Sequence, residues 1–422
     1  HQSINKEEIY QKGSSHFHYD YRTLYRMFVS SPLSLFLTAI ALPILLLLLH
    51  DGPASLLVEA VAGDDKENQI PLHNFIGELE ESIGFYQAIE LTNDGDDGNT
   101  NSSLLYSKES QYQQIEVHRS KHFGKMLVLD DVVQLTERDA DSYNEMMAHI
   151  PMFQHPAPQR VLVVGGGDGY VLHEVLKHPS VEHVDHVDLD TDVIQTCEQF
   201  FPQWADGWKD SRTKLHIADG AKFAKETPSE TYDVIIQDSS DPWTVDEDGV
   251  VIPLPSGVLY EKEHICALYR ILKPNGILNI QAESFNIPTS LDGIIIWRKL
   301  MEDCGFQRSR YGTIHTTSYP TGQIGFLMAE KNPSGSISSK SKDIWKRYQQ
   351  MIGESGTEDH NKRTTYYHPP LQRGCFDIPL WVHQKIYGQE DTSDLFCQLD
   401  VENMDQNNDQ DENENENIPV VA

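Results

Sequence analysis

From Arg160 onward, apolar strand-like runs alternate with amphipathic helix-like ones, and this alternation restricts the possible folds more than any other feature of the chain. "RVLVVG" is followed by a helical pattern through "VLHEVLKH", then "VEHVDHVDLD", "DVIQTCEQF", "KLHIADG", a further helix, "YDVIIQD", a helix at "EKEHICALYRIL", and "GILNIQAE". Strands separated by helices of this length build a parallel α/β sheet. No internal repeat interrupts the pattern. In such a sheet, ligands sit beyond the carboxyl ends of the strands, where the strand order reverses.

Four of those strand ends carry an acid: Asp168 after "VLVVGGG", Asp188 in "HVDLD", Asp219 in "HIADG" and Asp238 in "VIIQDSSDP". An acid at successive strand ends is a far more specific signal than the glycines Gly165 to Gly167, which by themselves supply a tight turn and close backbone approach. The turn is not the dinucleotide GxGxxG, and Asp168 disfavours an anionic pyrophosphate. Each acid also has a plainer reading. Asp168 can stabilise a helix N-terminus, worth about 0.3–1 kcal/mol, and Asp188 can be a polar strand terminus. Asp238 and Asp241 in "DSSDP" can shape an Asx-turn. On the functional reading Asp188 binds a ribose diol, Asp219, followed by Gly220, accepts from a base amine, and Asp238 and Asp241 face one cavity. The set suits a cationic nucleoside of the sulfonium kind with a second cationic substrate. Asp168 would repel the carboxylate of S-adenosylmethionine, whereas the decarboxylated form carries an amine.

The chain's formal charge of −32 over 422 residues argues against nucleic acid as partner, because phosphate contact needs clustered Lys and Arg. From Glu390 to Ala422 there are 11 acids and no Lys or Arg, the composition of a solvated disordered tail, yet 21 excess negative charges remain elsewhere. Cys197, Cys266, Cys304, Cys375 and Cys397 are scattered without a CxxC pair or metal-like spacing, so they are expected to be reduced and buried, with no metal site.

The chain opens on His1, and further residues are expected upstream. Residues 27–49, "MFVSSPLSLFLTAIALPILLLLL", form an uncharged stretch of 23 residues, long enough to cross a bilayer as a single anchor. Arg22 and Arg26 before it, and Asp51, Glu59, Asp64 and Asp65 after it, orient its N-terminal side to the cytosol. A cleaved signal or an organelle presequence competes with this reading; without a retained anchor a cytoplasmic location is expected. The expected division is an N-terminal segment 1–26, the hydrophobic helix 27–49, a linker 50–83, a small β-rich domain 84–150, the main α/β domain 151–388 and the tail 389–422. Within the β-rich part, "YQQIEVHR" and "KMLVLDDVVQLT" read as strands with a turn at Gly124, and Asp139 or Asp141 begins a helix.

These stretches together resemble the spermidine synthases of the aminopropyltransferase family. The resemblance runs from about Tyr106 to Tyr387 and rests on "SQYQQIEVHRSKHFGKMLVLDDVVQLTERDADSYNEM", "VLVVGGGDGYVLHEVLKHPSVE", "DLDTDVI", "ADGAKF", "YDVIIQDSSDP", "NIQAES", "SYPTGQIGF" and "TTYYHPPLQRGCFDIP". It implies a small N-terminal β domain, then a Rossmann-like parallel sheet of the class I methyltransferase type, paired as homodimers. The implied reaction moves the aminopropyl group of decarboxylated S-adenosylmethionine, a co-substrate, to putrescine without metal or other cofactor. By motif match, Gln113 and Gln134 contact the nucleoside, together with Gly165 and Gly220. Asp168 takes the aminopropyl amine, Asp188 the ribose and Asp219 the adenine. Asp238 is the base, aided by Tyr143, and Asp241, Gln281 and Tyr319 line the polyamine site.

The sequence departs from the family at Tyr170 for a common glycine, Asp188 for a common Glu, and Asn144 for a common Gln. It also departs in "WTVDEDGVVIPLP" after Pro242, a longer and more acidic loop expected to cover the amine pocket. Spermine or thermospermine synthesis is the near alternative. A methyltransferase and a membrane-tethered polyamine-binding protein without turnover are the alternatives from other classes.

Overall fold

The computed structural model describes residues 103–245, 251–332, 341–353 and 363–388, together with short strands between residues 75 and 91. The segment 27–49 and the tail 389–422, Cys397 included, lie outside the described residues. Among the described residues no helix is long and apolar enough to cross a membrane.

Upstream, β1 (Phe75–Ile76) pairs with β4 (Ile89–Glu90) and β2 (Leu79–Glu80) with β3 (Phe85–Tyr86). β5 (Leu104–Glu109), β6 (Gln114–Ser120), β7 (Gly124–Leu129) and β8 (Val132–Thr136) then form an antiparallel sheet in chain order. Helix α1 (Ala140–Gln154) follows.

The main sheet alternates as read: β9 (Arg160–Gly165), α2 (Tyr170–Leu176), β10 (His183–Asp188), α3 (Thr191–Phe200), β11 (Thr213–Ile217), α4 (Gly220–Glu226) and β12 (Tyr232–Asp238). The hairpin of β13 (Trp243–Val245) and β14 (Val251–Pro253) comes next, then α5 (Lys262–Ile271), β15 (Leu272–Ala282), α6 (Pro288–Cys304), β16 (Arg308–His315) and β17 (Gln323–Glu330). Helices α7 (Ser341–Ile352), α8 (Pro369–Gly374) and α9 (Leu380–Tyr387) close the described chain.

The seven strands lie in the order β11-β10-β9-β12-β15-β17-β16. The alternation from "RVLVVG" to "GILNIQAE" implies a parallel sheet, and the five strands it covers are parallel. β17, which lies beyond that alternation, runs antiparallel to both β15 and β16. The seven residues 316–322 that join β16 to β17 are too few for the helical crossover a parallel pair requires.

The central run "VLVV" is at most 1% exposed because both faces of the sheet are covered. Val161 and Val163 pack with Met146, Met147 and Ile150 of α1 and Val171, Leu172 and Val175 of α2. Leu162 and Val164 pack on the other face with Ile265 and Leu268 of α5 and Ile294 and Met301 of α6. The four-stranded sheet buries Ile115, Val117, Leu127 and Leu135 against Tyr170 and against Val193, Cys197 and Phe201. That contact seats the β-rich part beside the end of β10.

The insertion after Pro242 folds in part as the β13–β14 hairpin, Trp243 opposite Pro253, and its residues 246–250 lie outside the described residues. Leu254 N–H returns to Pro242 O at 3.0 Å.

Cysteine chemistry differs from the expectation. Cys197 and Cys375 are free and buried, but Cys266 and Cys304 are joined in a disulfide that links α5 to the last residue of α6. The partners are 38 residues apart on neighbouring helices, so no local spacing announces the bond. Closing a loop of that length is worth about 3–4 kcal/mol in the chain-entropy account. Cys304→Ser, or reduction by dithiothreitol, should therefore lower unfolding stability by about that amount in a urea titration; an unchanged midpoint would contradict the pairing.

Candidate functional site

The site is built around the turn after β9. Gly165 and Gly166 have φ of +77° and +67°, a left-handed conformation that side chains disfavour. A Cβ on Gly165 would lie 2.0 Å from the carbonyl oxygen of Asp238, and Gly166 N–H donates to that same oxygen at 2.7 Å. A Cβ on Gly166 would stand 2.9 Å from Asp238 Oδ2, and one on Gly167 would stand 2.9 Å from Asp188 Oδ2. The bare turn thus admits carboxylates from the strands on both sides of β9. Asp168 completes the group, its Oδ1 accepting from Tyr170 N–H at 2.7 Å.

At Asp168 and Asp188 the charge of neighbouring acids raises the proton affinity. Desolvation pushes the Asp168 carboxyl above the usual carboxylate range, and the Asp238 and Asp188 charges push it further. Desolvation likewise raises Asp188, to about 7, with the Asp190 and Asp238 charges adding to it and backbone N–H groups of Asp190 and Leu189 opposing. Asp238 is raised by desolvation and held back by the hydroxyl of Tyr143. Such a cluster attracts cations and can take up a proton near neutral pH.

Tyr143, on α1, donates to Asp238 Oδ1 at 2.6 Å. Burial and the Asp238 charge keep the phenol protonated, so it acts as a donor. Beyond Asp238 runs a second polar line. Tyr260 Oη donates to Gln281 Oε1 at 2.5 Å and accepts from Ser239 Oγ at 3.2 Å. Gln281 Nε2 reaches Glu283 Oε1 at 3.2 Å and Asp241 Oδ1 at 3.5 Å, and Tyr319 Oη donates to Glu283 Oε2. Asp241, Gln281 and Tyr319 are therefore brought together, with Tyr260 and the buried Glu283 as members that sequence reasoning missed. The signal was available for Glu283: it lies two residues after Gln281 and one past the end of β15, so chain that stays extended turns both to one side.

On the other side, Gln113 Nε2 donates to Asp190 Oδ2 at 3.1 Å, and Ser110 Oγ donates to the same oxygen at 2.6 Å. Asp190 Oδ1 also caps α3 through Asp192 N–H at 2.9 Å. This acid, also missed, carries Gln113 to the end of β10. Two further expected members make local hydrogen bonds. Asp219 is exposed at the end of β11, its Oδ1 capping α4 through the N–H groups of Ala221 at 2.8 Å and Lys222 at 3.1 Å. Gln134 is exposed on β8, with its amide 3.5 Å from Val132 O. Gly220 packs below, where a Cβ would meet Val164 Cγ1 at 2.7 Å.

The departures have local causes. Tyr170 stacks on Trp204 at 4.6 Å and donates to Asp141, so its ring serves packing. Asn144 is buried, donates to Ala140 O at 3.0 Å, and leaves Oδ1 without a partner among the described residues. An unmatched buried acceptor costs about 1–3 kcal/mol, which a bound donor would recover. No group of His, Cys, Asp and Glu among the described residues is arranged to hold a metal ion.

Comparison with known proteins gives a consistent picture. Residues 140–339 match the family described as the spermine/spermidine synthase domain, and residues 101–137 match the spermidine synthase tetramerisation domain. The chain is 39% identical over 294 residues to spermidine synthase 2 of Datura stramonium, covering 67% of this chain and 83% of that protein. It is 36% identical over 283 residues to the spermidine synthase of Schizosaccharomyces pombe, covering 67% and 87%. It is also 36% identical over 286 residues to a spermine synthase of Arabidopsis thaliana, covering 67% and 74%. Among solved structures, a spermidine synthase in complex with the transition-state analogue AdoDATO superposes with a TM-score of 0.63 at 26% identity, covering 76% of this chain and 98% of that one. The spermidine synthase of Thermotoga maritima gives 0.62 at 26% identity, with 76% and 97% covered.

The acid cluster makes a prediction for the ligand-free protein. Because Asp188 is raised to about 7, the folded chain holds a proton between about pH 4 and 7 that the unfolded chain has released, so its contribution turns unfavourable as pH rises through that window. Asp188→Asn should stabilise the ligand-free protein by on the order of 1 kcal/mol at pH 8, allowing for screening by water, and by little at pH 4. Equal effects at both pH values in urea titrations would contradict the repulsion.

Proposed function

The chain belongs to the spermine/spermidine synthase family and is an aminopropyltransferase, and we propose that it transfers the aminopropyl group of decarboxylated S-adenosylmethionine to putrescine, giving spermidine and methylthioadenosine. The observation that carries this reading is the contact of Asp238 with Tyr143 and with the glycine turn that also holds Asp188 and Asp168. Cationic ligands remove the mutual repulsion of these acids. Asp168 takes the aminopropyl ammonium and repels the carboxylate of intact S-adenosylmethionine, which selects the decarboxylated form by an unfavourable contact with its competitor. Asp188 holds the ribose diol, with Gln113 ordered beside it through Asp190, and Asp219 and Gln134 belong to the nucleoside side by motif alone.

The amine must lose a proton before it attacks. A primary alkylamine has a pKa near the lysine value of about 10.4, so only about one molecule in a thousand is a free base at pH 7. Asp238 accepts that proton and frees the nitrogen lone pair, which then bonds to the carbon beside sulfur as the carbon–sulfur bond breaks and its electron pair leaves with sulfur. The positive charge of the sulfonium passes to the nitrogen, and the product leaves as an ammonium. The leaving group is a neutral thioether, so the reaction requires neither a resident metal nor an organic cofactor, and the protein's main task is alignment of the two reactants. Asp241, Gln281, Glu283 and Tyr319 bind the far ammonium and so place the near amine for attack. Assembly of two or more copies is supported by the match of residues 101–137 to a tetramerisation domain.

Putrescine as acceptor is supported by the intact "DSSDP" and "YPTGQIGF" stretches and by the spermidine synthases among the relatives. Spermidine as acceptor is the second reading, favoured by the β13–β14 insertion beside Asp241 and by the similarity to a spermine synthase. Side-by-side assays should give methylthioadenosine with putrescine at a kcat/KM at least tenfold above that with spermidine; the reverse order would move the assignment to spermine or thermospermine synthesis. Asp238→Asn should lower kcat by about 10²- to 10⁴-fold while the dissociation constant for the nucleoside changes only a few-fold. Wild-type turnover by that variant would remove Asp238 from the role of base.

A further inference from the structure

Asp139 hydrogen-bonds to none of the residues assigned to the reacting groups, yet it joins the segments that carry two of them. It stands immediately before α1, where an acid would ordinarily cap the helix, but its side chain makes no cap hydrogen bond. Its carboxylate is instead spent on other segments. Oδ1 accepts from Thr136 Oγ1 at the end of β8 (2.5 Å) and from Ser318 Oγ (3.0 Å), while Oδ2 accepts from Thr317 Oγ1 (2.8 Å) and Ser318 N–H (2.6 Å). Ser142, one turn into the helix, adds a contact of 3.1 Å to Thr316. Asp139 is buried, so these bonds form out of competition with water.

The turn it grips is one that does not hold its own shape cheaply. Thr321 has φ of +71°, a left-handed conformation that is an outlier for a β-branched residue and persists only where the surroundings enforce it. Ser284 Oγ and Thr321 Oγ1, 3.0 Å apart, fix the far side of the turn, and Asp139 fixes the near side. Between the two anchors lies Tyr319, whose hydroxyl meets Glu283. Four residues along α1 from Asp139 lies Tyr143, whose hydroxyl meets Asp238.

We propose that Asp139 is a positioning residue for the amine acceptor, setting the place of Tyr319 relative to Tyr143 by clamping residues 316–318 to the start of α1. The inference rests on the acceptor site proposed above. A loose clamp leaves the nucleoside acids at the β9 turn undisturbed and degrades capture of the diamine.

Steady-state kinetics of the full chain separate the two substrates. Asp139→Asn should raise the KM for putrescine at least tenfold, leave the KM for decarboxylated S-adenosylmethionine within about twofold, and lower kcat by less than the change in amine KM. Thr317→Val and Ser318→Ala, which remove donors from the opposite side, should each raise the amine KM a few-fold, and combining them with Asp139→Asn should add little further loss. An unchanged amine KM, a parallel rise in both KM values, or fully multiplicative effects would overturn the proposal. If Asp139→Asn does not fold, the Thr317→Val, Ser318→Ala double variant decides alone by the same split. A wild-type chain that transfers no aminopropyl group to any amine refutes the functional reading itself; an active wild type with an indifferent Asp139 refutes only the clamp.

Discussion

Repulsion among carboxylates held close together and partly out of water is the constraint on which this site depends. Asp168, Asp188 and Asp238 lie around one glycine turn, and each has its proton affinity raised by desolvation, with charge from other acids adding at Asp168 and Asp188. Left alone, that arrangement disfavours the folded state. It persists because the surrounding elements determine it: β10 and β12 flank β9 in the sheet, and the chain cannot place a side chain at Gly165 without striking the Asp238 carbonyl. A site that is unfavourable when empty has affinity in reserve for a ligand of opposite charge.

The sheet order explains why acids distant in sequence converge. Strand order reverses at β9, so β10 leaves to one side and β12 to the other, and their last residues face each other across the turn. The β-rich part adds Gln113 through Asp190, α1 adds Tyr143, and the β16–β17 connection adds Tyr319. Each contributor is fixed by burial away from the site, as Ile115 and Val117 are against Val193 and Phe201.

Much of this was legible in the sequence. The run "VLVVGGGD" could be assigned because a central strand covered on both faces has no alternation to confuse it, and strand-end acids in a parallel sheet have few places to go. The meander from Leu104 to Thr136 was legible for another reason, its short strand-like runs with Gly124 at a turn. Long-range relations were less visible. The antiparallel β17 depends on a connection too short for a helix, and the Cys266–Cys304 bond depends on how α5 meets α6. Asp190 and Glu283 each sit two residues from an expected site residue, Asp188 and Gln281, and hydrogen bonding across elements, which no sequence pattern shows, decides which neighbouring polar residue is used. Asp219 stands after a strand and caps α4 with one carboxylate oxygen, a role that the strand-end pattern alone does not show.

A desolvated acid cluster that accommodates a positively charged nucleoside must change its protonation on binding. Isothermal titration calorimetry of decarboxylated S-adenosylmethionine at pH 6.5, repeated in buffers of different ionisation enthalpy, reads the protons exchanged on binding. Net proton release is expected, because a cation returns the raised carboxyls to their charged form, together with at least tenfold weaker binding of intact S-adenosylmethionine. Binding without proton release, or with equal affinity for the two nucleosides, would contradict it.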